Sequence, residues 1–315
     1  MTSLKNFFFR SLKILYLRFF KQYQLIFNNT YRLEAEKYNS LKKNIKLPLR
    51  IHKFKMNVNP DDEGISRDLI VHKLKEPIFT NALLKGGIVK QGDVIWDVGA
   101  NIGYFVLLQR MLIGPKGHIY AVEPVKSNIE LLNQNLKLNK CRNVDVVHYA
   151  FGAKNGKSYI YLSDKSNWHS MLGSSTNSKK EEVPLITGDT FIKGKRKPTL
   201  IRMDVEGYEL EILKGMKKTL AKKDIKILMA IHAEFLKNKG VKQLFEILKK
   251  NNFIPKLATD EINIFLPKNR FFRLIMKNLN EEFLLKDKLV SPTYEELFNW
   301  IVKMHNAPNV YFVKK

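Results

Sequence analysis

Three short stretches of this chain gather the side chains that could do chemistry. In the first, VIWDVGANIGYF at residues 94–105, an apolar run meets Asp97 and then a bend containing Gly99 and Gly103 around Ala100 and Asn101. Glycine has no Cβ and takes positive φ at little cost, so this spacing suits a turn pressed against a ligand. A helix beginning near residue 102 would aim its first amides at a bound group, and Asp97 at the strand tip can accept from an ammonium or a hydroxyl. In the second, HIYAVEP at residues 118–124, Glu123 stands 20 residues after Gly103 and just before Pro124. That distance fits one βαβ unit, whose second strand tip can offer a carboxylate to both hydroxyls of a ribose. The third, PTLIRMDVEGYE at residues 198–209, puts Asp204, Glu206 and Glu209 in one loop. Three carboxylates so close repel unless a cation, a hydroxyl donor or solvent satisfies them, which points to chemistry there.

Each stretch also has a plainer reading: a glycine loop, an exposed strand-end acid, a helix start that favours negative charge. Their order and spacing favour the joint reading. A nicotinamide site would show G-x-G-x-x-G, and the wider glycine spacing here favours S-adenosylmethionine.

DVGANIGYF, AVEP and RMDVEGYELEILKG, with DEGISRDLIV at residues 62–71, resemble the FkbM family of S-adenosylmethionine-dependent methyltransferases over about residues 55–235. The resemblance implies an α/β class I methyltransferase fold, a Rossmann-like, mostly parallel seven-stranded sheet with helices on both faces. It also implies methylation of a hydroxyl on a sugar, glycan, glycolipid or other secondary metabolite. The chain departs from the family at Ala230, where a glutamate is usual two residues before a histidine matched by His232. No role is carried over for that glutamate.

The elements that would position these residues follow from alternation. Strands near 94–97, 118–122, 144–148, 157–162, 200–203 and 225–231 are separated by helices near 102–112, 127–138 and 209–220, which argues a parallel sheet. A helix at 241–251, a hairpin arm at 253–266 and a last strand at 309–315 complete it. Ligands in such sheets bind beyond the carboxyl ends of the strands, where Asp97, Glu123, Ala150, Asp204 and His232 fall. Glu123 would hold the ribose, the Gly99–Gly103 turn the methionine part, and the backbone at Ala150 and Phe151 the adenine edge, with Asp204 facing the methyl. Asp204 and His232, then Glu206, are the candidate proton acceptors for an attacking hydroxyl. The same acids suit Mg²⁺, and the sequence neither chooses between these nor assigns a metal ligand. Trp168, in an exposed polar loop after Ser163, could stack on a sugar or cover apolar surface, with His169 and Ser170 beside it.

The expected organisation is a basic amphipathic segment at 1–40, a lead-in at 41–93, the methyltransferase core at 94–267, a helical insertion or cap at 268–305 and a final strand at 306–315. Net charge is +25, and the first 60 residues hold thirteen basic side chains against two acids. Leu4, Phe8, Leu12, Leu15, Phe19 and Ile26 recur at helical spacing opposite Arg10, Lys13, Arg18 and Lys21. Such a helix suits an anionic membrane surface, or packing of its apolar stripe onto the catalytic domain or a second subunit. Its charges bar it from spanning a bilayer, and its apolar runs are too short for a secretory signal, so a cytoplasmic location, peripheral on the inner membrane face, is expected. A single cysteine, Cys141, excludes an internal disulfide. Two other function classes stay open. A nucleic-acid methyltransferase would explain the charge; DVEGYE stands where amino-methylating ones carry N/D-P-P-Y/F, which leaves an RNA ribose methyltransferase. A noncatalytic membrane adaptor would explain the N-terminal segment alone.

Overall fold

The computed structural model describes residues 34–172, 179–259, 288–303 and 307–315. The amphipathic pattern over 4–27 and the first insertion helix, 270–277, lie outside the described residues. The chain divides into two compact units, Met1–Lys46 and Leu47–Lys315. Of the first, residues 34–43 are helical. No described helix is long and apolar enough to cross a membrane.

The second unit opens with a small hairpin, β1 (Leu49–Ile51) and β2 (Phe54–Met56), and two helices, α1 (Ile65–His72) and α2 (Pro77–Lys85). Then come β3 (Val94–Val98), α3 (Tyr104–Ile113), β4 (His118–Val122), α4 (Lys126–Leu138) and β5 (Val144–Val147). The short strands β6 (Ala150–Phe151), β7 (Gly156–Tyr161) and β8 (Lys180–Ile186) lead through α5 (Gly188–Phe191) to β9 (Leu200–Met203). After that follow α6 (Glu209–Lys214), α7 (Lys217–Leu220), β10 (Lys226–Ala230), α8 (Ala233–Lys250), β11 (Phe253–Thr259), β12 (Lys288–Val290), α9 (Tyr294–Phe298) and β13 (Asn309–Lys314).

The main sheet runs β12-β11-β13-β10-β9-β3-β4-β5. β5, β4, β3, β9 and β10 are parallel, and β13 inserts antiparallel between β10 and β11. These seven strands form the mostly parallel sheet of a class I methyltransferase, to which β12 adds a three-residue edge strand. Every residue of β3 is buried, as a strand covered on both faces must be. Trp96 packs against Phe151 and Phe191 on one face, while Asp97, pointing the opposite way, meets Gln109 of α3 on the other.

Three expectations are corrected, and one left open is filled in for the described residues. Residues 157–162 do not continue the main sheet; β7 pairs antiparallel with β8 in a separate three-stranded sheet, its outer residues exposed. The polar stretch after Ser163 is not all exposed loop, since Lys180–Glu182 begin β8 and Ser170 is buried and bridged to Tyr161. The helix expected over 209–220 breaks at Gly215, where a Cβ would sit 2.0 Å from the Gly152 carbonyl oxygen. Finally, the described end of the insertion is a buttress: Tyr294, Leu297, Trp300 and Ile301 join the main core, Tyr294 packing on Phe245 and Phe312.

Candidate methyltransferase active site

The strand tips β3, β4 and β9 converge because their backbones are tied. The N–H groups of Gly99 and Ala100 donate to the Val122 carbonyl at 2.9 and 3.1 Å, and that of Asp204 to the Val98 carbonyl at 3.0 Å. Gly99 has φ +85, and a Cβ there would lie 2.0 Å from the Asp204 carbonyl oxygen, so only glycine lets these two tips approach. Gly103, also at positive φ, is required for a different reason: its Cβ would meet Leu132 of α4 at 2.5 Å, so it sets helix packing and does not face the ligand. The turn does not present an array of open amides either. Asn101 N–H donates to Glu123, Ile102 N–H to the Asn101 side chain and Gly103 N–H to the Ala100 carbonyl.

Glu123 is almost fully buried at the rim of a narrow cleft. Its Oε2 accepts from Asn101 N–H at 2.8 Å, and its Oε1 from Val125 N–H at 3.0 Å and the Asn128 amide at 3.2 Å. Burial pushes its pKa up to about 7 against the pull of these donors. A carboxylate holds about four lone pairs, so an ionised Glu123 keeps acceptor capacity for hydroxyls. Pro124, Ala150 and Phe151 line the same cleft, together with Tyr149, Ile160 and Met171.

Asp97 does not take the role expected of it. It is fully buried, its two oxygens engaged by Arg202 Nη1 at 2.8 Å and Gln109 at 2.9 Å. Arg202, across from it in register on β9, reaches Asp204 Oδ2 with its other nitrogen at 2.8 Å and lies over the Phe105 ring. The buried pair thus aims Asp204, which with Gly99, Asn101 and Glu206 lines both the cleft and a cavity of about 750 Å³ beside it.

His232, just before α8, lines that cavity. Its Nδ1 donates to Glu209 Oε1 at 2.7 Å, and its Nε2 lies 3.5 Å from Glu206 Oε2 and 3.8 Å from Asp204 Oδ1. Burial alone would lower its pKa, but the fully buried Glu209 carboxylate, with Glu206 and Asp204, outweighs it and raises it well above the ordinary range. Glu206 is also raised, by burial and by its neighbouring acids, against the pull of His232. Asp204, Glu206 and His232 thus face one another in one cluster, with Asp204 also tied to Arg202. Asp204, Glu206 and His232 can each turn one ligand atom inward, all within 4.8 Å of one another.

Residues 163–172 separate the two spaces. Trp168 is 56% exposed and lines the large cavity, with Lys165 stacked over its ring. His169 turns the other way, onto the cleft, its Nδ1 accepting from Ser163 N–H. Ser170 is buried, lines the large cavity and donates to the Glu206 carbonyl. Asp62 holds the loop, taking Ser166 N–H and Ser166 Oγ–H, each at 2.8 Å. Sequence reasoning missed Arg202, whose signal was a lone arginine in an apolar strand, the Glu209–His232 pairing, and the lining residues Lys75 and Glu76, which had no signal.

This sheet order with a ribose-type acid and a glycine turn at its switch point defines a class I S-adenosylmethionine-dependent methyltransferase. The model of the methyltransferase FkbM domain matches residues 97–273, more than half of the chain, and the chain belongs to that family. It is 27% identical over 174 residues to the hexuronic acid methyltransferase AglP of Haloferax volcanii, a match covering 55% of this chain and 69% of that one. Among solved structures it resembles the FkbM methyltransferase of Methylobacillus flagellatus, with 17% identity, a TM-score of 0.40, and 68% of this chain and 52% of that chain covered. It also resembles Aeropyrum pernix fibrillarin with natively bound S-adenosylmethionine, with 14% identity, a TM-score of 0.41, and coverage of 75% and 74%.

Proposed function

We propose that this methyltransferase transfers its methyl group to a hydroxyl of a sugar, glycan or glycolipid. The observation that carries this reading is the meeting of two spaces at Asp204: a narrow cleft ending in Glu123 and a roomy cavity lined by His232 and Trp168. The donor, when bound, supplies a methyl group on a sulfonium, ready for in-line displacement. The chain's part is then alignment, exclusion of water and acceptance of one proton. Glu123 would accept from the ribose hydroxyls. Asp204, held by Arg202, would take the proton that the acceptor hydroxyl loses as its oxygen bonds to the methyl carbon. His232, fixed by Glu209, would hydrogen-bond an oxygen of the acceptor and so orient it. Trp168 would stack on the acceptor ring. The relative named for a hexuronic acid supports a sugar acceptor. The cleft is narrow, about 70 Å³, so a nucleoside would enter by displacing His169 and Met171.

Incubation of the full chain with labelled donor and extracted envelope glycans tests the reading. Label in a glycan or glycolipid, as a methyl ether by mass spectrometry, is expected; label only in RNA or in no acceptor contradicts it. The basic residues of 4–27 are the proposed contact with an anionic inner-membrane surface, and vesicle co-sedimentation of the full chain checks that. A second reading has Asp204, Glu206 and His232 hold a divalent cation that ionises the acceptor hydroxyl, and their convergence within 4.8 Å favours it. Activity unchanged by exhaustive chelation rules that version out.

A further inference from the structure

The donor has, besides its nucleoside, an amino-acid end whose α-carboxylate leaves bulk water on binding. Such a group is tolerated in a protein interior only against a cation or several N–H donors. The glycine turn offers few: the N–H groups of Gly99, Ala100, Asn101, Ile102 and Gly103 are all engaged within the fold. The cavity that the turn opens onto holds three basic side chains among the described residues, Lys75, Arg202 and His232. Two of them are already matched. Arg202 bonds to Asp97 and Asp204, and His232 bonds to Glu209 and faces Glu206 and Asp204.

Lys75 differs. Its ammonium has three donors and makes one hydrogen bond, to Asp68 Oδ2 at 2.9 Å, with Glu76 Oε1 at 4.0 Å. Asp68 is 40% exposed and Lys75 16%, so water reaches the acid side of that pair. The backbone of Lys75 is tied to the helix that follows the turn. Its carbonyl accepts from Thr80 Oγ1 at 2.6 Å, Thr80 Oγ1 lies 3.2 Å from Tyr104 Oη, and Tyr104 is the first residue of the helix that follows Gly103. Lys75 therefore lines the cavity together with Gly99, Ala100 and Asn101, at the place where the donor's methionine end would lie.

We propose that Lys75 binds the α-carboxylate of the methyl donor. The inference rests on the donor binding at the Gly99 turn, and its test separates the two ideas. S-adenosylhomocysteine and its decarboxylated analogue are titrated by calorimetry into the full-length wild type, Lys75→Met and Lys75→Arg. The wild type is expected to prefer the carboxylated ligand by about 10- to 100-fold, the worth of a charge-assisted hydrogen bond. Lys75→Met loses that preference while binding the decarboxylated analogue as the wild type does, and Lys75→Arg keeps part of it. A wild type with no preference, or a Lys75→Met protein that keeps one, overturns the proposal. Equal loss of both ligands in Lys75→Met also overturns it, by marking the lysine as structural. Should Lys75→Met fail to fold, Lys75→Gln gives the same comparison. A wild type that binds neither ligand defeats the donor site itself.

Discussion

The donor cleft and the acceptor cavity meet at Asp204 but are built by opposite means. The cleft is made from consecutive strand tips whose positions are fixed by the sheet: Gly99 after β3, Glu123 after β4, Ala150 and Phe151 after β5. Backbone hydrogen bonds between neighbouring strands hold them, and the chemistry presented is the Glu123 carboxylate at one end, Asp204 and Glu206 where it meets the cavity, and a mainly apolar slot between. The cavity gathers side chains from segments far apart in the chain, Lys75, Trp168, Arg202, His232 and Asn309, and its chemistry is a mesh of charges. A site that binds the same donor in every relative can be part of the scaffold. A site that must fit a particular acceptor is assembled on loops and helix ends, where change costs the sheet little.

Breaking the joint between the two regions should have the largest effect. Arg202→Met leaves Asp97 a buried carboxylate without its cation, and a stability loss of about 3–5 kcal/mol in denaturant melts is expected. Retention of full stability would mean that the pair is dispensable and that the two regions are not jointly held.

Asp204→Asn keeps the shape and removes the proton acceptor. The proton-transfer role predicts a fall in kcat of about 10²- to 10³-fold with little change in donor affinity, read by single-turnover kinetics beside calorimetry. A fall in donor affinity with kcat preserved would move Asp204 wholly to the donor side.

The cleft has its own pH signature. With a pKa raised to about 7, Glu123 is protonated in the free protein below that value, and only the carboxylate can accept from both ribose hydroxyls. Affinity for S-adenosylhomocysteine should therefore rise several-fold from about pH 6 to about pH 8. The sign for folding is opposite. A group whose folded pKa exceeds its unfolded value adds stability below the unfolded value, which is lost as pH rises through the folded one. Between the ordinary value of 4.5 and about 7, then, Glu123 lowers the stability of the free protein as pH increases. A donor affinity flat across this window contradicts the assignment. The smallest effect expected is for Trp168→Ala: an acceptor KM raised about 3- to 10-fold, as for one lost aromatic contact, with donor affinity unchanged.

This contrast also explains what the sequence made legible. Strand tips recur at intervals set by the βαβ unit, so Gly99, Glu123 and Asp204 could be placed from spacing alone. Ion pairs across the sheet leave no period. Asp97 was read as a ligand contact because its place at a strand tip says nothing of Arg202, 105 residues on. His232 reads as a lone candidate base in the sequence because Glu209, whose carboxylate takes its Nδ1–H, is 23 residues away. Lys75 sits in a lead-in helix connection with no pattern, and only folding brings it to the turn. The strand-like residues 157–162 were assigned to the main sheet because alternation cannot tell which sheet a strand joins.

The central claim, that one methyl donor is gripped between the Gly99 turn and Glu123, is tested most directly by calorimetry of S-adenosylhomocysteine with the wild type and with Glu123→Ala. The wild type should bind at a single site and Glu123→Ala should bind about 10- to 100-fold more weakly, as expected for lost hydrogen bonds to a charged acceptor. No heat with the folded wild type, or equal affinity for the two proteins, would contradict it.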